Sequence, residues 1–244
     1  MKPLKPQPSL TELVHQRLLD EMSEGRLGPG EHLVQEQLAA QLGVSRQPVQ
    51  QALALLKSEG LVLELGKRGL FVAPLEPESV THRYEIRASL DGLAARKAAQ
   101  LVRSKALSGK DIAQAGEALL AAGEAAVARA GIAAMVQCDI RFHEWIYDIS
   151  GNPLIAQTAM PHWRHMRRVM GEVLRHAELP KAIWRQHRGI VEAIAAGDAK
   201  RAEALATGHV WTAAERLERA FARASEESDA ASSRAAKPAP RHAS

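Results

Sequence analysis

The spacing of apolar residues in this chain changes once, and that change restricts the fold more than any other feature. Between residues 10 and 61 the apolar residues recur at helical spacing in three segments, which "GRLGPGE" and "GVS" separate. From residue 61 the spacing becomes two, in "LVLEL" and "LFVAP" on either side of the turn "GKRG". Three short helices followed by a hairpin predict a winged helix-turn-helix.

The third of these predicted helices begins in "SRQPVQQ", with Ser45 as its N-cap and Pro48 in its first turn, where a missing N–H costs little. In a winged helix-turn-helix this end of the helix enters the major groove of double-stranded DNA. Arginine matches the edge of guanine and glutamine the edge of adenine. The residues that would face the bases are Ser45, Arg46, Gln47, Gln50 and, as an optional addition, Gln51.

The turn of the hairpin carries two basic residues, Lys67 and Arg68, between two glycines. We expect Gly66, Lys67 and Arg68 to meet phosphates or the minor groove, since glycine lets the backbone approach closely. Overall charge does not contribute to this argument, because residues 1–75 contain eight Lys/Arg and eight Asp/Glu. The alternative is a helix-turn-helix of structural use only, with a solvated turn.

The rest of the chain contains alanine-rich runs such as "GLAARKAAQL", which favour helix. Short breaks divide it into six predicted helices, at 79–103, 108–129, 131–149, 153–176, 179–196 and 198–222, with Ser79 and Asp198 as caps. Such short connections predict an all-α antiparallel bundle. The predicted organisation is a flexible N-terminus 1–8, a DNA-binding domain 9–75, a linker 76–81, a helical domain 82–222 and a disordered tail 223–244.

The start "MKPLKPQPSL" lacks the apolar stretch of a signal peptide, and no apolar run reaches membrane-spanning length. A single cysteine, Cys138, excludes an internal disulfide. We therefore expect a soluble cytoplasmic protein without a membrane partner.

The stretch "DIRFHEW" places Asp139 and His143 four positions apart, on the apolar face of a predicted helix. His187 and His209 also lie among apolar residues, at similar distances before and after the turn at Gly197. In an antiparallel hairpin these two histidines lie at the same height. The pattern leaves two interpretations open: hydrogen-bonded core residues, or one Asp and three His that bind a metal.

A metal bound by this set would be a divalent transition metal. Imidazole suits zinc, nickel, copper, iron and manganese, and the carboxylate favours the harder ions among them. We predict zinc, with nickel, manganese or iron as alternatives. Cys138 lies about 100° around the helix from Asp139, so we expect it to be packed and not a ligand.

Arg87 is a second polar residue on a predicted inward face, between Tyr84 and Leu90. One interpretation is a buried arginine paired with Asp91, one turn further on, or with Asp139. The other is a guanidinium that points into the bundle cavity and binds a carboxylate through two hydrogen bonds. A cation beside a partly open metal suits a small anionic ligand.

The stretch "GRLGPGEHLVQEQLAAQLGVSRQPVQQALALLKSEGLV", followed by "GKRGLFVAPL", resembles the DNA-binding domain of the GntR family of bacterial transcription regulators. The resemblance covers residues 10–75 and implies binding to DNA. Gln47 stands where the family typically has Thr, and Gln50 where it has an Arg that contacts the operator. These differences point to an altered half-site, with a preference shifted from guanine toward adenine.

The segments "YEIRASLDGLAARKAA", "DIRFHEWIYDISGN" and "QHRGIVEAIAAGDAKRAEALATGH" resemble the effector-binding FCD domain of the FadR subfamily, in its metal-containing branch. The resemblance implies that Arg87 helps to bind a carboxylate effector, and Asp91 stands where Glu is usual. The predicted domain has six helices instead of seven, and in this it resembles the VanR-like group. The positions that match the family's metal ligands are Asp139, His143, His187 and His209.

We therefore predict a homodimeric transcription regulator, a repressor on a palindromic operator, whose DNA affinity is controlled by a small organic acid at the metal and Arg87. We do not expect an enzyme. A metal-dependent hydrolase would need Glu144 or Glu192 as general base, and both are predicted to point away from the cluster. A regulator with a purely structural metal is the remaining alternative.

Overall fold

The computed structural model describes residues 8–129, 131–176 and 180–235. Its N-terminal part has the predicted winged helix-turn-helix: three helices precede an antiparallel hairpin that pairs Val62 with Val72 and Glu64 with Leu70. One turn of 3₁₀ helix, Gly66–Arg68, joins the strands. The elements are α1 (Leu10–Ser23), α2 (Gln35–Leu42), α3 (Arg46–Ser58), β1 (Val62–Glu64) and β2 (Leu70–Val72).

Local signals in the sequence set the ends of these helices. Ser9 caps α1: its Oγ accepts from Glu12 N, and the Glu12 carboxylate accepts from Ser9 N at 2.6 Å. Gly43, at φ +66°, ends α2. Ser45 stands at the predicted N-cap of α3, although its side chain makes no capping hydrogen bond. The predicted inward residues of α3 and its end are buried, namely Val49, Leu53, Leu56 and Leu61.

Six further helices form the predicted antiparallel bundle within the described residues. The long helices α4 and α9 pack along each other, and α5 packs against α8. The centre of the bundle therefore lies between helices that are distant in sequence. These helices are α4 (Pro77–Arg103), α5 (Gly109–Ala128), α6 (Ile132–Ile149), α7 (Pro153–His176), α8 (Pro180–Ala195) and α9 (Ala199–Ala235).

Two predicted boundaries are wrong. Most of the predicted linker 76–81 belongs to α4, with Glu76 and not Ser79 as N-cap, because proline is tolerated at the first helical position. The predicted disordered tail 223–244 is helical up to Ala235, since no glycine or proline interrupts residues 222–235. Residues 236–244, and residues 1–7 of the predicted flexible N-terminus, lie outside the described ranges.

Helices α5 and α8 approach each other closely at a glycine. A Cβ on Gly123 would lie 2.1 Å from the ring of Trp184, so this ring occupies the space that any larger residue would need. Trp184 is buried and faces the centre of the bundle. Across the described ranges, no helix combines the length and the apolar character that crossing a bilayer requires.

Candidate metal centre and DNA-facing surface

Three helices bring four buried polar side chains to one point in the bundle. Helix α6 contributes Asp139 and His143, α8 contributes His187 and α9 contributes His209. One ligand atom of each residue lies within 4.8 Å of the others. The structure thus places together the four residues that the sequence suggested as metal ligands.

The Nε2 atoms of the three imidazoles converge on the carboxylate of Asp139. His187 Nε2 lies 3.2 Å from His209 Nε2 and 3.4 Å from Asp139 Oδ1. His143 Nε2 lies 3.8 Å from Asp139 Oδ2. The first of these distances agrees with the matched heights expected on either side of the turn at Gly197.

A second layer of acceptors fixes two of the imidazoles. His143 Nδ1 lies 3.1 Å from Asp91 Oδ2, and His209 Nδ1 lies 3.0 Å from Gln186 Oε1. Because each acceptor takes the Nδ1 proton, the Nε2 lone pairs face the cluster. Asp91 also accepts a hydrogen bond from the hydroxyl of Tyr147.

Aromatic rings fix the third imidazole, since His187 Nδ1 has no hydrogen-bond partner among the described atoms. Phe142 stacks on the His187 ring with centroids 4.0 Å apart, and Trp184 meets it edge-on at 4.8 Å. Packing therefore holds the ring of His187 in the orientation that aims its Nε2 at the cluster.

The carboxylate of Asp139 is the clearest sign that the cluster suits a cation. Its Oδ2 is buried without a hydrogen-bond partner in the described part of the chain, and Arg87 Nη2 and His143 Nε2 each lie 3.8 Å from it. A buried carboxylate oxygen in this state is costly unless it is compensated. One carboxylate and three imidazoles form a donor set that fits a divalent transition metal.

The pKa shifts of two of the buried histidines favour metal binding, because a neutral imidazole can offer its lone pair to an ion. Burial lowers the pKa of His187 and of His209 well below the usual value, and neighbouring imidazoles lower it further, so both are neutral at pH 7. Burial raises the pKa of Asp139. Burial would also raise the pKa of Asp91, but its interactions with His143 and Arg87 outweigh burial and lower that pKa to about 2.

Arg87 lies buried beside the cluster. Its Nη2 donates to His143 Nε2 at 2.8 Å and lies 3.8 Å from Asp139 Oδ2, and its Nε donates to Asp91 Oδ2 at 3.3 Å. Its Cζ lies 4.1 Å from the ring centroid of Trp163 on α7. Both ion-pair partners considered from the sequence, Asp91 and Asp139, are therefore within reach of one guanidinium.

A cavity of about 60 Å³ that opens to solvent adjoins the cluster. Arg87, Asp139 and His209 contribute to its wall, so a bound molecule can reach both the arginine and the cluster. Most of the remaining wall is apolar, formed among others by Met135, Met170, Ile183, Trp184 and Ala213.

The two glutamates that a hydrolase would need lie elsewhere. Glu192 is exposed on α8, and Glu144 is half-buried, with Asp148, Arg141 and Arg167 as its charged neighbours. Neither belongs to the described wall of the cavity. Among the described residues, the cluster therefore has no adjacent carboxylate that is free to act as a general base.

The candidate DNA-facing residues at the start of α3 are exposed. Arg46 Nη1 pairs with Glu36 Oε1 at 2.8 Å, an exposed contact that DNA could replace at little cost. Gln51 differs, because its Oε1 accepts a hydrogen bond from Thr11 Oγ1 at 2.7 Å and is held against α1. All five residues of this set are exposed, namely Ser45, Arg46, Gln47, Gln50 and Gln51.

The tip of the hairpin presents Gly66, Lys67 and Arg68 to solvent. Gly69, which follows, has φ +100°, and a Cβ there would lie 2.7 Å from His32 Nε2. The His32 ring stacks on Phe71 with centroids 4.7 Å apart. The base of the wing is thus fixed by packing while its basic tip stays accessible.

Two family models match the two parts of the chain. The model described as "Bacterial regulatory proteins, gntR family" matches residues 10–72. The model described as "FCD domain" matches residues 82–212, more than half of the chain. The boundary between the two matches lies at the start of α4.

Individual proteins give the same result. An HTH-type transcriptional regulator of Agrobacterium vitis is 36% identical over 48% of this chain and 66% of its own length, just under two thirds. Another, of Streptomyces ambofaciens, is 30% identical over 79% of this chain and 78% of its own length. The structure of E. coli McbR/YncC shares the fold, with a TM-score of 0.74 at 22% identity, over 88% of this chain and all of that one.

Proposed function

Since this chain belongs to the GntR family of bacterial regulatory proteins and is a transcriptional regulator with an FCD domain, not an enzyme, we propose that a small organic acid controls its affinity for DNA. We propose further that it acts as a homodimer on a palindromic operator, with Arg46, Gln47 and Gln50 facing the bases. The observation that carries the proposal is that Arg87 both contacts the Asp/His cluster and lines the cavity.

In this proposal Asp139, His143, His187 and His209 hold a divalent metal, zinc or, as alternatives, nickel, manganese or iron. When bound, such an ion supplies a Lewis-acid site for a carboxylate oxygen. Arg87 offers a planar pair of donors to the same carboxylate, and Asp91 orients it through the contact to Arg87 Nε. The apolar wall excludes water from the body of the acid.

Helix α7 links this site to the DNA-binding domain. Trp163 lies under the Arg87 guanidinium, and its Nε1 donates to Tyr147 Oη at 3.2 Å. One turn further on, Arg167 Nη2 donates to Asp20 Oδ1 on α1 at 2.5 Å. His165 bonds to the carbonyl of Glu59, just beyond α3, at 2.6 Å. A shift of Arg87 toward a bound acid therefore changes the packing of α7, the helix that contacts the DNA-binding domain.

A ligand changes DNA affinity only by its different affinity for the two arrangements of the protein. We propose that the acid favours an arrangement in which the spacing of the two DNA-binding domains of the dimer no longer matches the spacing of the two half-sites. The acid then weakens DNA binding, and the protein acts as a repressor that the acid relieves.

A thermal-shift screen of small carboxylic acids, with and without chelator, tests the ligand site. We expect certain acids to raise the melting temperature of the metal-loaded protein, and we expect Arg87→Gln to abolish that rise. Arg141→Gln, an exposed arginine on α6, should leave it unchanged. If Arg87→Gln responds like the unaltered protein, the metal is structural and the proposed effector site is wrong.

Metal analysis tests the cluster. We expect purified protein to hold about one divalent metal ion per chain, because the four donors form a single site. His187→Ala/His209→Ala should lose it. Full occupancy in that double variant would remove the proposed ligand set.

A further inference from the structure

A second guanidinium, that of Arg216, lines the same cavity as Arg87. Arg216 follows His209 by seven residues on α9, which is two helical turns, and Ala213 lies between them. Along the axis of α9, Arg216 therefore lies about 10 Å beyond His209. Side chains on a helix lean toward its N-terminus, so Arg216 leans back toward the cluster.

The charge of Arg216 is not balanced in the way that the charge of Arg87 is. Asp91 and Asp139 both lie close to Arg87. Arg216 is half-buried, and no ion pair or hydrogen bond joins its side chain to another described residue. A partly desolvated cation favours a bound anion.

The wall of the cavity that contains both arginines is mostly apolar. Trp184 forms a flat wall, held in place by its contact with Gly123, and Ile183 and Met135 continue it. A ligand that reaches from Arg87 to Arg216 must therefore carry an apolar middle segment between its polar ends.

We infer that the effector is an organic acid with two anionic groups joined by an apolar segment. Its inner group binds beside Arg87 and its outer group binds Arg216. This inference rests on the proposed function and adds to it the class of acid and the residue that selects this class. Arg216 then discriminates a dicarboxylate from a monocarboxylate of the same length.

Calorimetric titration of the full chain loaded with Zn²⁺ tests the inference, with matched pairs of probes: hexanoate and adipate, octanoate and suberate, benzoate and terephthalate. We expect at least one diacid to bind about tenfold more tightly than its monoacid. Arg216→Gln should remove this advantage and leave the monoacid unchanged. Arg219→Gln, an exposed arginine on the same helix, should behave like the unaltered protein.

Two results would overturn the inference in distinguishable ways. If monoacids and diacids bind equally well, or if the diacid keeps its advantage in Arg216→Gln, the outer anion site is wrong while the proposed function stands. If no acid binds, and Arg87→Gln has no effect in the thermal-shift screen, the proposed function fails together with the inference. Unchanged melting temperatures of the apo variants serve as the control for folding.

Discussion

The guanidinium of Arg87 lies over the indole ring of Trp163, with 4.1 Å between Cζ and the ring centroid. This contact joins two parts of the molecule that the chain separates widely. Arg87 contacts the Asp/His cluster, and Trp163 belongs to α7, whose next turn contacts α1 through the pair of Arg167 and Asp20. The cluster and the DNA-binding domain are therefore connected through adjacent side chains.

Trp163→Leu should preserve the binding of the acid but reduce the effect of the acid on DNA affinity. We expect acid affinity to stay within a few fold, because Arg87 keeps its contacts with Asp91 and His143. The acid-dependent change in DNA affinity should shrink, since α7 no longer follows the guanidinium. Calorimetry with the acid and fluorescence anisotropy with labelled operator measure the two quantities.

The matched control is Trp211→Leu, because Trp211 is 41% exposed on α9. A Trp163→Leu protein that releases DNA as fully as the control does would show that coupling takes another route.

Asp91→Asn should weaken metal binding by about 10- to 100-fold, the usual effect of losing a partner that orients a ligand imidazole. The Asp91 carboxylate accepts a hydrogen bond from His143 Nδ1, with 3.1 Å between Nδ1 and Oδ2. This hydrogen bond leaves Nε2 of His143 available for the metal. Competition with a chromogenic chelator gives the affinity. Asp148→Asn, an exposed change on α6, is the control, and equal affinities in the two variants would contradict the role of Asp91.

Arg46→Ala should cost about 1–3 kcal/mol of binding free energy on the true operator, if its guanidinium contacts a base edge. Losing its exposed pair with Glu36 should hardly change stability. An operator selected from random DNA and a binding isotherm provide the measurement. Arg17→Ala, exposed on α1, is the control, and equal affinities would mean that the groove contact is wrong.

Gly123→Ala should destabilise the bundle by about 1–3 kcal/mol, because overpacking forces Trp184 to move. The added Cβ would lie 2.1 Å from the Trp184 ring. Denaturant unfolding measures the change. Gly208→Ala is the matched control, because its Cβ would meet nothing within 4 Å and alanine favours helix by about 1 kcal/mol. If both variants lose the same stability, the close contact between α5 and α8 is not the cause.

The sequence predicted the two-part fold and the assembly of the cluster for identifiable reasons. Helical periodicity placed Asp139 and His143 on one buried face, and the turn at Gly197 set the relative heights of His187 and His209. These are local properties of the chain. The predicted start of α4 and the predicted end of α9 were wrong, because proline and small polar residues are compatible with both helix and coil.

The contacts between helices were harder to predict. On α7, His165 and Arg167 form hydrogen bonds with the DNA-binding domain and Trp163 contacts Arg87, and none of these contacts was predicted from the sequence. Gln186 gave no signal either, because its partner His209 lies on another helix. Such pairings depend on how helices pack, which periodicity does not specify.

The most direct measurement is the affinity of the metal-loaded protein for its operator over increasing concentrations of an acid found in the screen. We expect the acid to weaken DNA binding at least about tenfold, and we expect chelation of the metal or Arg87→Gln to abolish that effect. An operator affinity that every acid of the screen leaves unchanged, in protein that retains its metal, would contradict the proposed control of DNA binding.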